Sequence, residues 1–116
     1  MELAGNANLA EAKKWLGLAR QRSTSQGVEP EIGYVREYLG KAGATLADIG
    51  TSEEELAQLL LAGYRGEAVT WLKLARQRMN AAEVEYVRKY LVLANITPAD
   101  IGTSEEELVR LAAKRR

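Results

Sequence analysis

Apolar residues recur along this chain at helical spacing, and they do so in two matching sets. Ala12, Trp15, Leu16 and Ala19 form one stripe at steps of three and four, and Ala68, Trp71, Leu72 and Ala75, extended by Met79, form the same stripe further on. A second pair of stripes sets Ile32, Val35, Leu39 and Ala42 against Val84, Val87, Leu91 and Ala94. No stretch sustains apolar–polar alternation, so no strand is expected.

The punctuation between the stripes predicts where the helices begin and end. Asn8-Leu9-Ala10-Glu11 and Asn80-Ala81-Ala82-Glu83 have capping-box form, an acceptor side chain followed three residues later by an acid. Pro30 suits a first helical turn, where its missing N–H is not needed. Gly27 reads as a left-handed terminator for the first helix. Gly43 aligns with Asn95, and these are the two residue types that most readily take positive φ at a helix end. Thr45–Gly50 and Thr97–Gly102 each read as a single helical turn with its isoleucine pointing inward. Ser52 with Glu55, and Thr51 with Glu54, then cap a third helix whose first turn is acidic, as the helix dipole favours. These signals predict six main helices near 9–25, 30–42, 52–63, 67–79, 81–94 and 104–114.

The two sets are close copies. WLGLARQR from Trp15 matches WLKLARQR from Trp71 at 7 of 8 positions, and the 23-residue stretch from Tyr34 matches that from Tyr86 at 17. The offset is 56 residues for the first block and 52 for the second, so the first copy carries four extra residues in its connector. The expected fold is all-α: a tandem duplication of a three-helix unit, packed as one six-helix bundle or short helical-repeat body. The expected organisation is a single domain over 1–116, with repeat one at 8–63 and repeat two at 64–116. Gly40 and Lys41 become Val92 and Leu93 in the second copy, while Leu60, Leu61 and Ala62 become Ala112, Ala113 and Lys114. Read as an interior element against an end cap, these changes predict that Leu60, Leu61, Val92 and Leu93 meet at the joint between the copies, with the middle helix of the second copy sandwiched.

Composition removes several function classes. Hydrophobic residues make up 47% and charged residues 28%, as in ordinary globular proteins. Sixteen basic residues balance sixteen acidic ones, which argues against a surface given over to polyanions. There is no cysteine and no histidine, hence no disulfide, no thiolate or imidazole metal ligand and no imidazole base. No metal and no cofactor is expected. The N-terminus lacks the basic start and apolar run of a secretion signal, and uninterrupted apolar runs such as Leu59 to Ala62 are too short to span a membrane. The cytoplasm is the default location.

The candidate chemistry is thin. Glu53-Glu54-Glu55 and Glu105-Glu106-Glu107 cannot converge on one ion, because consecutive helical residues point about 100° apart. Capping explains them. Arg20 and Arg76 project away from the stripe and are expected to remain available, whereas Arg22 lies on the buried line and is expected to pair with a glutamate of the third helix. Tyr34 and Tyr38, with Tyr86 and Tyr90, are i,i+4 pairs flanking the second stripe. Arg36 and Arg88 project roughly 160–200° from them, which disfavours a shared base-stacking patch. A helix-turn-helix reading of TLADIGTSEEEL fails, because three glutamates would open the recognition helix and face the phosphates. No phosphate loop, dinucleotide fingerprint or nucleophile elbow is present. The expected function is a non-catalytic helical interaction module that binds a protein partner, as monomer or homo-oligomer. Its candidate surface is Arg20, Tyr34, Arg36, Tyr38, Arg76, Tyr86, Arg88 and Tyr90. The alternative is a nucleic-acid or nucleotide-binding bundle using the repeated arginines and the basic C-terminal tail.

Overall fold

A computed structural model describes residues 2–113, and all secondary structure among them is helical. Helix α1 spans Glu2–Arg22, α2 Glu29–Ala42, α3 Glu53–Arg78, α4 Ala81–Ala94 and α5 Glu105–Ala113, with 3₁₀ turns at Leu46–Ile49 and Pro98–Ile101. The basic tail at 114–116 lies outside the described residues.

Helices α1 and α2 pair as one hairpin, and the second half of α3 pairs with α4 as another. Leu56, near the start of α3, closes the first hairpin over Ala12, Leu16, Ala19, Val28, Ile32, Val35 and Leu39. Leu108 and Leu111 of α5 close the second over Ala68, Leu72, Ala75, Val84, Val87 and Leu91. The apolar stripes read from the sequence are therefore the buried faces, and each fully buried aliphatic side chain contributes roughly 1.5–3 kcal/mol. The two cores lie along one rod with principal extents of 61 × 23 × 17 Å.

The stop signals act as read. Gly43 and Asn95 both take the left-handed conformation, with φ of 65° and 59°. Gly50 and Gly102 end the 3₁₀ turns with φ of 78° and 81°. In each turn the aspartate accepts a hydrogen bond from the backbone N–H of the threonine that opens it, Thr45 to Asp48 and Thr97 to Asp100, at 2.8 Å. Ile49 is buried and Ile101 half-buried.

Three expectations are corrected. First, α1 does not begin at Asn8. It runs through that residue from Glu2, and it ends at Arg22 because the hydroxyls of Ser23 and Thr24 take up the carbonyls of Arg20 and Gln21. Gly27 is not the terminator; its N–H donates to the Glu67 carboxylate at 2.9 Å.

Second, the helices expected at 52–63 and 67–79 are one continuous α3. Gly63 and Gly66 look like punctuation, and a helical glycine costs up to about 1 kcal/mol. Here they are points of close packing. The connector at residues 23–28 lies on α3, and a Cβ on Gly63 would stand 2.6 Å from the Gln26 carbonyl oxygen, one on Gly66 2.7 Å from the Ser25 carbonyl carbon.

Third, the apolar substitutions in the second copy are not a joint. Val92 is 77% exposed, and Leu61 and Leu93 are also exposed. Leu60 packs on the first core instead. The halves meet through the connector and through Tyr64, whose hydroxyl donates to Glu29 and whose ring lies 6.0 Å from that of Tyr90.

The close approach makes a paired prediction. Gly66→Ala forces the connector off α3 and destabilises the protein by about 1–3 kcal/mol. Gly17→Ala, where the added Cβ meets nothing within 4 Å in the middle of α1, stabilises it by about 0.5–1 kcal/mol. Urea unfolding of both variants checks the contrast; equal effects of the two substitutions would remove the packing role of Gly66.

Candidate functional site

The eight candidate surface residues are placed by α1, α2, α3 and α4, and the structure sorts them into two kinds of contact. The arginines turn toward acids. Arg20, in the last turn of α1, grips Glu55 with Nε and Nη2, both at 2.8 Å, and Nη2 also donates to the Gly50 carbonyl at 3.1 Å. Arg76 grips Glu107 in the same way, at 2.8 Å and 2.8 Å, with 3.0 Å to the Gly102 carbonyl. A threonine completes each carboxylate cluster, Thr51 on Glu55 and Thr103 on Glu107, at 2.5 Å. The arginine first, then the threonine hydroxyl, hold each of these carboxyls down at about 2. Arg36 pairs with Glu53 at 2.8 Å and Arg88 with Glu105 at 2.6 Å, tying α2 to α3 and α4 to α5.

The acidic triplets thus divide their work. Ser52 and Ser104 cap their helices by accepting from the N–H of Glu55 and Glu107, but the reciprocal arm of the capping box is absent because those side chains are committed to arginine. Arg20, expected to stay available, is the residue that reaches the third helix. Arg22, expected to do so, bonds Glu31 of α2 at 2.6 Å, and Arg78 bonds Glu83 of α4 at 2.8 Å. Glu31 and Glu83 are buried, each with Oε2 bonded and Oε1 without a partner in the chain.

The tyrosines go elsewhere. Tyr34 lies against Trp15 and Tyr86 against Trp71, each pair with ring centroids 4.5 Å apart. Both tryptophans occupy equivalent positions but are half-buried rather than enclosed, and the two tyrosines remain 41% and 42% exposed. Tyr38 and Tyr90 are half-buried at the core margins, with Lys41 and Lys89 over their rings at 5.1 and 5.3 Å. The candidate arginines and tyrosines are therefore not brought into one patch.

The stretch between the halves holds groups the sequence did not single out. Burial, then the bond to Glu29, push the Tyr64 phenol up to about 12. Burial, then the charges of Glu67 and Glu29, raise the Tyr90 phenol. Glu67 accepts from the Gly27 N–H and from the Trp71 indole at 3.2 Å, whereas Glu11, its counterpart, pairs with Lys14 and leaves the Trp15 indole N–H without a partner. Beside this stretch an open cleft of about 350 Å³ lies between the connector and α3. The signals for it were the four extra residues of the first connector and the Gly-x-x-Gly spacing in α3.

Carboxyls held near 2 and phenols raised above their usual range all titrate away from neutral pH. Among the described residues no group of three or more acids is placed to hold a metal ion, and no helix is long and apolar enough to cross a membrane. No family model, curated protein or solved structure matches the chain.

The two carboxylate clusters give the protein an acid limb. Their folded values near 2 lie below the ordinary 4.5, so the unfolded chain takes up protons first as pH falls. The stability they contribute is complete above about 4.5 and is lost as pH drops toward about 2. Thermal melts across this window are expected to show a falling Tm in the native protein and a shallower fall in Glu55→Gln/Glu107→Gln. Parallel curves would show that the clusters carry no linked stability.

Proposed function

We propose that the chain is a non-catalytic helical-repeat module, built by tandem duplication, that binds a protein partner through its two Trp–Tyr faces. The observation that carries this reading is the pair of equivalent half-exposed aromatic stacks, Trp15 with Tyr34 and Trp71 with Tyr86. Tryptophan and tyrosine dominate the energetics of protein interfaces because they bring large, stiff apolar area at low entropic cost. A rod 61 Å long that offers the same aromatic element in each half suits an extended partner that engages both.

The nucleic-acid alternative loses its main support. It rested on Arg20, Arg36, Arg76 and Arg88 together with the basic tail at 114–116, which lies outside the described residues, and each of the four guanidinium groups is already engaged by a glutamate. Releasing one toward a phosphate would leave that carboxylate unpaired beside the ligand.

The test is affinity capture from a lysate, with and without nuclease, using the native chain and Tyr34→Ala/Tyr86→Ala as baits. The expected result is a protein that stays bound after nuclease treatment and at raised salt, and that the double variant captures at least tenfold less well, since truncating two interface aromatics removes about 2 kcal/mol or more. Loss of capture on nuclease treatment, or equal capture by the variant, would overturn the reading.

A further inference from the structure

The cleft between the connector and α3 differs from the rest of the surface in its charge. Two basic residues, Arg65 and Lys73, line it, and no acidic residue does. Elsewhere among the described residues Lys14, Arg20, Arg22, Arg36, Lys41, Arg76, Arg78 and Arg88 all form ion pairs. Among the described residues Arg65 and Lys73 form none, and neither do Lys13, Lys89 and Arg110 outside the cleft; Arg65 donates one N–H to the Asp100 carbonyl at 3.1 Å, and its charge adds to the Thr97 hydrogen bonds in lowering the Asp100 carboxyl. Two cations outside ion pairs, in one recess whose lining holds no acid, are the kind of arrangement that focuses an anion.

The geometry specifies the anion further. Arg65 and Lys73 are eight residues apart on α3, a rise of about 12 Å, and each side chain can lean toward the other along the same helix face. The floor between them is kept low by Gly66. Thr70 lies on the way and the rim is the connector itself. Ser23 and Thr24 have their hydroxyl protons committed to the carbonyls of Arg20 and Gln21, so they quench the negative end of α1 that would otherwise repel an anion. The nearest free donors are then Arg65, Lys73 and the Ser25 hydroxyl.

The site belongs to one half only. At the 56-residue offset, the positions of Arg65 and Lys73 are occupied by Leu9 and Gly17 in the first copy, and the four extra connector residues that build the rim have no equivalent in the second. Both changes converge on one recess, where the connector backbone lies on α3.

We propose that this cleft is a binding site for a small phosphate-bearing anion of the diphosphate class, bracketed by Arg65 and Lys73. One phosphoryl group sits at each cation, and a volume of about 350 Å³ leaves room for a substituent on one of them. The site is independent of the Trp–Tyr faces.

The test is an amide chemical-shift titration of the full chain with inorganic pyrophosphate, orthophosphate and a nucleoside diphosphate at matched ionic strength. Pyrophosphate is expected to give saturable shifts at Ser25, Gly66 and Thr70, with orthophosphate weaker because it cannot reach both cations. A tighter nucleoside diphosphate would identify an ester as the ligand, and equal affinity would identify the diphosphate unit alone. Lys73→Ala and Arg65→Gln each weaken binding roughly tenfold, the usual cost of a lost charge-assisted hydrogen bond. Lys13→Ala, an exposed lysine on α1, leaves it unchanged. Shifts that never saturate, or a Lys13→Ala loss as large as the Lys73→Ala loss, would overturn the proposal.

Discussion

Backbone lying directly on backbone at the middle of α3 is the contact on which the rest of the molecule depends. The connector at 23–28 approaches so closely that neither Gly63 nor Gly66 has room for a Cβ. That approach has two consequences. It lets α3 run unbroken from Glu53 to Arg78, because the glycines are held in a packed helix instead of ending one. It also ties the first hairpin to a helix whose second half belongs to the other core. A helix of 26 residues is about 39 Å long, so the continuity of α3 largely sets the length of the rod.

Around that axis the same electrostatic clip is used in each half. An arginine from the last turn of a long helix reaches the first turn of a later one, and it takes both the carboxylate and the carbonyl of the glycine that closes the 3₁₀ turn. The clip satisfies helix ends on both sides at once: positive charge at a C-terminus, negative charge at an N-terminus. It also fixes the 3₁₀ turn between them. Charge that looks like a ligand surface in one dimension is structural glue in three, and this is why the protein can be rich in arginine and still offer few of them to a partner.

Much of the fold was legible because it is local. The stripes at Val35 and Val87, the positive φ at Gly43 and Asn95, and the Thr–Asp turns all depend on residues within a few positions of one another. What was not legible depends on a neighbour the pattern cannot see. A break was expected between 63 and 67 because the connector that packs on Gly63 and Gly66 lies about forty residues away in sequence. Arg20 took the contact expected of Arg22 because a helical wheel gives direction but not reach: a guanidinium at the edge of the buried face can extend to a neighbouring helix, while one on the buried line meets the nearest acid, Glu31. Val92 and Leu93 were placed at a joint on hydrophobicity alone, yet no element packs over Val92. Of the candidate surface, the tyrosines were legible as boundary residues. Their stacking on Trp15 and Trp71 was not, because it joins stripes on separate helices.

Where two copies of one sequence agree, the shared residues describe what any copy needs in order to fold. The differences then carry the information about this particular molecule, and they fall into two sets. One set sits at α4 and α5 and leaves apolar side chains such as Val92 and Val109 in contact with solvent. The other sits at the junction: the longer connector, the glycines of α3, the Glu67 bridge, and Arg65 with Lys73. Within it the connector, the glycines and Glu67 are mutually dependent. Lengthening the connector without the glycines would clash, and the glycines without the connector would weaken α3 for nothing. Glu67 bonded to Gly27 makes the contact specific in register. Such interlocking is what separates a built feature from drift along a surface, and it locates the individuality of this chain at the centre of the rod.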